Sequence, residues 1–256
     1  MLAVERKHRI LDMLTKSGAV TTVKAAKALA VSEETVRRDF EKLEADGRLY
    51  REHGGAARVN DSRSDIPLDS REAANVAEKE AIAKVALGQI QKGDTVFFDA
   101  SSTVFHLARF LANLEVTVLT NALKTAAELV RRPQVEVILI GGMVNPASLS
   151  CQGGLVDQSL ETYQVRKVFM SCRGLDSVRG LSEANAEQAS LKRKIIKLSD
   201  QTIILADHTK MGLKSSYFFA KLADVDTLIT DHLADRKLKK ALKRSGVNLL
   251  ELEERA

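Results

Sequence analysis

Apolar residues recur along the chain in two patterns, helical near the start and in short continuous runs later. Over residues 5–16, Ile10, Leu11 and Leu14 fall at i, i+1 and i+4, the spacing of an amphipathic helix, and Ser17-Gly18 ends it. Residues 23–29 are alanine-rich, with Ala26 and Leu29 three apart, which predicts a short second helix lying close to its neighbours. A third helix begins after Ser32, a good N-cap, with Glu33 and Glu34 in the first turn where the helix dipole favours acids. Val31 and Val36 hold the positions of a hydrophobic staple, and Val36, Phe40 and Leu43 share an inward face. Glu34, Thr35, Arg37, Arg38 and Glu41 then face outward. After Gly47, residues 48–59 read as a short hairpin turning on Gly54-Gly55.

Two short helices leading through a tight turn into a third form a helix-turn-helix, whose last helix enters the major groove of DNA; the hairpin is its wing. Ser32, Glu34, Thr35, Arg37 and Arg38 are the candidate DNA contacts of the helix. Arg51, His53 and Arg58 of the wing can reach phosphates, which contribute affinity but little sequence information. Glu34 with Arg38, and Arg37 with Glu41, are also i, i+4 pairs, worth only about 0.2–0.5 kcal/mol each on a solvated face. Their place one turn into a capped third helix, followed by a wing, favours DNA contact. The stretch from Arg6 through Ile10 and Leu14 to Ser32-x-x-Thr35-Val36-Arg37-Arg38-Asp39-Phe40, then His53-Gly54-Gly55-Ala56, resembles the DeoR/GlpR family of bacterial regulators. The resemblance implies that Ser32 to Arg38 read or position DNA, and that Asp39 holds structure through an arginine of the wing.

Residues 60–67 are polar and pattern-free, so the chain divides into a winged helix-turn-helix (1–58), a linker (59–76) and a larger domain (77–256). The larger domain opens with a helix over 78–90, with Ile82, Val85, Ala86 and Ile90 inward. Apolar runs follow at 95–98, 116–119, 135–140, 168–170, 202–205 and 227–229, most of them separated by helical patterns. That alternation predicts an α/β, Rossmann-like fold with a mostly parallel sheet covered on both faces. Such sheets bind ligands in the loops at the carboxyl ends of their strands. Those loops carry Asp99-Ala100-Ser101-Ser102-Thr103 opening a helix, Thr120-Asn121, Gly141-Gly142, and Asp207-His208-Thr209-Lys210. Three hydroxyls at a helix N-terminus with free N–H groups make a phosphate cradle, and paired glycines let a ligand approach the backbone. Taken singly, each signal is an ordinary cap, turn or solvated lysine; the architecture gathers all four at one rim. Arg173, just past another strand, is a ligand candidate or a surface ion-pair partner.

The loops also resemble the effector domain of the same family, as Asp99-x-Ser101-Ser102-Thr103, Thr120-Asn121, Gly141-Gly142, Gly153, Gly174-x-Asp176 and Asp207-x-Thr209-Lys210. One departure is Ala100, where the family often has glycine. That domain is related to the ribose-5-phosphate isomerase/CoA-transferase-like fold, which implies a phosphorylated sugar as effector. Ser101, Ser102, Thr103 and Lys210 would surround its phosphate, and Asp99, Asn121, Asp176 and Glu187 would face its hydroxyls. The resemblance implies a transcriptional regulator, a repressor of carbohydrate metabolism genes.

The rival reading is a sugar-phosphate isomerase carrying a DNA-binding appendage. Aligned on the isomerase helix, residues 189–196 place Arg193 at the catalytic glutamate and Ala184 at the catalytic lysine, and neither can move a proton from carbon. Glu183 or Glu187 could substitute only in a newly built site. A nicotinamide enzyme would show G-x-G-x-x-G after its first strand, and neither that motif nor a P-loop is present. His8, His53, His106, His208 and His232 are scattered, so no metal site is expected and no cofactor is called for.

Composition fits this picture: 45% hydrophobic and 29% charged is ordinary for a globular chain, and the net charge of +5 permits a polyanionic partner. Absence of Trp and 4% aromatics argue against a base-stacking single-strand binder. Charge interrupts the N-terminus before any signal-peptide core could form, no apolar run reaches membrane length, and Cys151 and Cys172 are too few for a disulfide framework. A cytoplasmic homo-oligomer, dimer or tetramer, on double-stranded operator DNA is expected, because one short helix-turn-helix buries little surface.

Overall fold

The structure is a computed structural model that describes residues 2–17, 19–45, 48–52, 54–58, 66–233 and 235–252. Its chain divides into two compact units, Met1–Asn75 and Val76–Ala256. Gly18, Gly47, His53 and residues 59–65, the first part of the expected linker, lie outside the described residues.

In the first unit, α1 (Ala3–Ser17), α2 (Thr22–Leu29) and α3 (Glu33–Ala45) close around Ile10, Leu14, Leu29, Val36, Phe40 and Leu43. Thr21 Oγ1 caps α2 by accepting from Lys24 N at 3.2 Å, and Ala30 leaves that helix in the left-handed region (φ 53°), making the tight turn into α3. Ser32 Oγ accepts from Thr35 N at 3.2 Å, the expected cap. Three short antiparallel strands complete the unit: β1 (Ala19–Thr21), β2 (Leu49–Glu52) and β3 (Gly55–Arg58), in the order β1-β3-β2. The hairpin turns at Gly54 (φ +83°), and Gly55 leaves no room for a side chain: a Cβ there would lie 2.5 Å from Val20 O. A further helix, α4 (Leu68–Ala73), begins after Pro67 and falls in the first unit, where the sequence presents linker to residue 76. Leu68 is buried, which gives this single turn and a half something to hold.

The second unit starts with α5 (Val76–Leu87), which ends three residues before the expected Ile90 because the chain passes into tight turns around Gly88. It continues through β4 (Thr95–Phe98), α6 (Ser102–Phe110), β5 (Val116–Thr120), α7 (Leu123–Leu129) and β6 (Val135–Leu139). A hairpin of β7 (Met143–Asn145) and β8 (Ser150–Gln152) leads to α8 (Gly154–Leu160) and β9 (Val165–Met170). Then come β10 (Gly174–Asp176), β11 (Gly180–Glu183), α9 (Ala186–Leu198), β12 (Ser199–Leu205), β13 (Tyr217–Ala220), β14 (Thr227–Thr230), α10 (Arg236–Arg244) and β15 (Asn248–Glu251).

Seven of these strands form one parallel sheet in the order β15-β14-β12-β9-β4-β5-β6. Its two faces feed two separate cores. Phe97, Leu119 and Met170 enter one, while Phe98, Val118 and Phe169 enter the other, the alternation of a sheet buried on both sides. The six expected strands are all present. β7, β8, β10, β11 and β13 stand outside the sheet, and β10-β11-β13 make a small antiparallel sheet of their own.

The order fixes the place of the site. From β4 the chain moves outward through β5 to β6, then returns to β9 on the other side of β4. The strand order therefore reverses between β4 and β9, and a crevice opens beyond their carboxyl ends. Asp99 follows β4 and Ser171 follows β9, and the Ser171 N–H donates to Asp99 Oδ2 at 3.1 Å.

Candidate functional site

Two sets of residues stand out, one on each unit. On α3, Val36 and Phe40 anchor the helix in its core, and Glu34, Arg37 and Arg38 are exposed on the other side. Arg38 reaches Glu34 at 3.3 Å, as the spacing predicts. Arg37 takes Glu33 at 3.5 Å rather than the expected Glu41. Both pairs are long and solvated, so either guanidinium can turn to another anion at small cost. Glu41 is engaged elsewhere, at 2.9 Å from Arg51 of β2, whose Nε also donates to Glu44 at 2.8 Å. The Arg51 pKa is raised, first by that Glu44 hydrogen bond. Arg51 thus ties the wing strand to α3 with donors that the sequence assigns to phosphate. The buried Asp39 carboxylate takes Arg6 of α1, not an arginine of the wing, in a bidentate pair with a second contact of 3.1 Å. Asp39 points inward beside Phe40, where α1 crosses, so Arg6 is the cation within reach. Ser32 Oγ lies 2.8 Å from Thr35 Oγ1, which joins the two candidate hydroxyls into the helix cap.

The second set lines the rim of the parallel sheet. Asp99 is its hub: Oδ1 accepts from Ser101 N (3.0 Å) and Ser101 Oγ (2.5 Å), and Oδ2 accepts from Ser171 N. Lys192 Nζ sits 3.0 Å from Asp99 Oδ2, donates to Ser171 O at 2.7 Å and is bonded to Glu183. Burial opposes charge on Lys192, but Asp99 and Glu183 outweigh it and hold its pKa above the ordinary value, so it stays an ammonium. Neither Lys192 nor Glu183 is among the sequence-predicted site residues. The lysine had a readable signal: Gln188, Leu191, Lys192 and Ile195 fall at i, i+3, i+4 and i+7 and all are buried, so a cation sits in the apolar stripe of α9. Arg193, one residue on, is exposed and donates to Phe218 O at 2.9 Å, away from the Asp99 cluster that Lys192 joins.

Ser101 caps α6, accepting from Val104 N at 3.3 Å, so its hydroxyl is engaged on both sides. Ser102 and Thr103 occupy the first turn, where backbone N–H groups lack intrahelical acceptors, and their own hydroxyls bond to no described residue. Thr120 is fully buried; its hydroxyl donates to Phe98 O (2.8 Å) and accepts from Ala122 N (3.1 Å), which braces the loop. Asn121 donates Nδ2 to Cys151 O at 3.0 Å. Gly142 is bare for the protein's own sake, since a Cβ would lie 2.7 Å from Gln152 O; Gly141 meets nothing within 4 Å.

Across the crevice, Asp207 caps a short 3-10 helix, His208–Lys210, accepting from Thr209 N at 3.0 Å and from its hydroxyl. Burial works against its charge, but Lys210, Thr209 and Lys79 together depress its pKa. Lys210 Nζ lies 3.8 Å from Asp207 Oδ2. Lys79, 3% exposed on α5, is a third site residue that the sequence reading missed. Cys172 follows β9, and burial pushes its thiol up to about 12. Both cysteines are buried and free.

Three expected members do not meet at Asp99. Asp176 caps the β10–β11 turn, accepting from Val178 N (3.1 Å) and Arg179 N (2.7 Å), with Lys214 at 3.4 Å. Glu187 is exposed in the first turn of α9, and Glu183 takes the place beside Lys192. Arg173 is half-buried, its N–H donating to Ser182 O at 2.9 Å. Among the described residues no group of His, Cys, Asp and Glu gathers as metal ligands, and no helix is long and apolar enough to cross a membrane.

Known proteins share this arrangement along almost the whole chain. The model of the DeoR-like helix-turn-helix domain matches residues 6–62, and that of the DeoR C terminal sensor domain matches residues 74–232. The chain is 41% identical to the HTH-type transcriptional regulator YulB of Bacillus subtilis over 97% of its own length and 96% of that protein. It is 35% identical to the HTH-type transcriptional repressor GlcR of Bacillus subtilis, covering 99% and 98%. It is 31% identical to the L-fucose operon activator of Escherichia coli, covering 88% and 94%. A ribose 5-phosphate isomerase A from Methanocaldococcus jannaschii superposes on 54% of the chain and 55% of its own, with 14% identity and a TM-score of 0.41. Its full-length relatives are named as regulators and its first unit is a DNA-binding domain, so the chain is a regulator and not an enzyme. A helix-turn-helix followed by a sensor domain, with relatives matched nearly end to end, places the chain in the DeoR family of transcriptional regulators.

Proposed function

We propose that this protein represses genes for using a carbohydrate, and that a phosphorylated sugar bound at the sheet rim sets its affinity for operator DNA. The reading is carried by a helix N-terminus, with Ser102 and Thr103 in its first turn, after one strand of the parallel sheet, and by a cation, Lys210, after another strand of that sheet. A phosphate accepts from the first-turn N–H groups and hydroxyls and draws the Lys210 ammonium off Asp207. Asp99, held by Ser101, Ser171 and Lys192, and the amide of Asn121 would then face the sugar's hydroxyls. Names among the relatives support the carbohydrate link and include both a repressor and an activator. Repression relieved by an intermediate of the pathway suits genes needed only when the sugar is present.

On DNA, Arg37 and Arg38 leave their weak pairs for bases or phosphates, Thr35 and Ser32 set the start of the helix, and Arg51 acts by holding the wing. Two or more copies in the cytoplasm bind repeated half-sites. Binding to DNA from upstream of its own gene is measured by fluorescence anisotropy at fixed salt, with a panel of sugar phosphates and the free sugars. One phosphate, and not its free sugar, should weaken binding, and Lys210→Ala should abolish that response while leaving operator affinity intact. An undiminished response in Lys210→Ala would sink the phosphate assignment.

A further inference from the structure

Asn121 and Gln152, beside the rim, each have a buried polar atom without a hydrogen-bond partner, and the phosphate cradle uses neither. Asn121 is 2% exposed; donation of Nδ2 to Cys151 O fixes its amide and leaves Oδ1 buried without a hydrogen bond. Cys151 N donates back to Asn121 O at 2.8 Å, so the end of β5 and the end of β8 are clamped together. The next residue of β8 is Gln152, 5% exposed, and its Nε2 is likewise buried without a partner. Gln152 alternates with Cys151, which belongs to the apolar core, and so shares its side of β8 with Ser150. Ser150 is fully buried, its Oγ 2.8 Å from Ser148 Oγ, so on β8 itself this side is polar and buried. Gly142 lies directly against the Gln152 carbonyl, which brings the loop after β6 to the same place.

Buried polar groups in folded proteins are almost always paired. Here one neighbourhood holds an unpaired acceptor and an unpaired donor. A hydroxyl group satisfies both at once, donating to Asn121 Oδ1 and accepting from Gln152 Nε2. We propose that Asn121 and Gln152 form a subsite that reads one hydroxyl of a polyhydroxylated ligand, with Gln152 deciding which sugar is accepted. The subsite rests on the reading of the rim as a sugar-phosphate site and adds selectivity to it, because the phosphate cradle by itself is generic.

Gln152→Met in the full chain keeps the length of the side chain and removes the donor. Without any ligand its melting midpoint should rise by about 2–4 °C, since an unpaired buried donor is lost. Calorimetric titration with glucose-6-phosphate, fructose-6-phosphate, fructose-1-phosphate and ribose-5-phosphate should show the preferred sugar phosphate binding roughly tenfold to a hundredfold more weakly, with inorganic phosphate unchanged. A lowered midpoint overturns the subsite, because it means that Nε2 is satisfied in the free protein and serves structure. A raised midpoint with the ratio of sugar phosphate to inorganic phosphate affinity unaltered also overturns it. Gln152→Glu keeps the shape, removes the donor and should lose the same selectivity, which guards against an effect of methionine packing. If the unaltered chain binds none of these sugar phosphates, the reading of the rim fails and takes the subsite with it, an outcome distinct from a selective defect at Gln152.

Discussion

Burying an ammonium removes its hydration, and only close counter-charges with well-placed hydrogen bonds offset that loss. Lys192 meets both conditions, with two carboxylates and the Ser171 carbonyl around Nζ, and it joins the loops after β4 and β9 to β11. Lys192→Met fills the same space but leaves Asp99 and Glu183 buried side by side without a cation. The second unit should lose about 3–5 kcal/mol, read by urea unfolding, and a loss under about 1 kcal/mol would mean that the cluster is wetter than its burial indicates. His208 offers a pH test. Its burial lowers its pKa, but the Asp231 carboxylate, 2.6 Å from Nδ1, overcomes this and raises it. A group whose folded pKa is raised adds stability that is full below its unfolded value, about 6.5, and fades as pH rises through the folded value. The melting midpoint of wild type should therefore exceed that of His208→Asn in mild acid and converge with it as pH rises through the raised folded value. A difference that stays constant across that range would show that the pair does not titrate.

Elements with many residues or a recognisable cap were legible in the sequence, and short ones were not. α3 could be read from Ser32, its first-turn acids and the Val36-Phe40-Leu43 face, and the six parallel strands from runs of β-branched and aromatic residues. β1, β7, β8 and β10 have three residues each, too few to show alternation, and pair only because distant segments fold onto them. The site followed the same division. Asp99, Ser102, Asn121 and Lys210 could be singled out because they lie in loops after strands, whereas Lys79 and Lys192 come from the inner faces of helices, and Glu183 from a strand that sequence does not show. Asp176 differs from the others in that its carboxylate accepts from the turn that follows it. Gly55 tests the hidden strand. A methyl group there would press on Val20 O at 2.5 Å and on Thr21 Cα at 2.9 Å, across the β1–β3 pairing. Gly55→Ala should destabilise the DNA-binding unit by about 1–3 kcal/mol, seen as faster amide exchange in β1 and β3, with exchange in the parallel sheet unchanged. Unaltered exchange in β1 would show that the strand yields without cost.

For the whole molecule, regulation requires that the DNA-binding unit and the sensor unit share one free energy. On the proposed function, operator DNA bound to the first unit and sugar phosphate bound to the second would each stabilise the fold by RT ln(1 + [L]/Kd), about 2.7 kcal/mol at a hundred times Kd. Were the units independent, the two gains would add. If sugar phosphate favours an arrangement with lower DNA affinity, the pair gains less than the sum, and the shortfall is the coupling free energy, typically about 1–3 kcal/mol. Linkage makes this symmetric: operator must weaken sugar phosphate binding by the same factor that sugar phosphate weakens operator binding. Calorimetric titration of the sugar phosphate with and without saturating operator, set beside anisotropy titrations of operator with and without the sugar phosphate, measures both sides of the cycle. Equal factors of about 5 to 150 are expected, and Lys210→Ala should lose sugar phosphate binding without changing the affinity of the free protein for operator. Factors near one on both sides would leave a DNA-binding protein whose rim ligand does not regulate it. A large factor on the DNA side alone would place the effect outside a binding equilibrium, in aggregation or a change of oligomer.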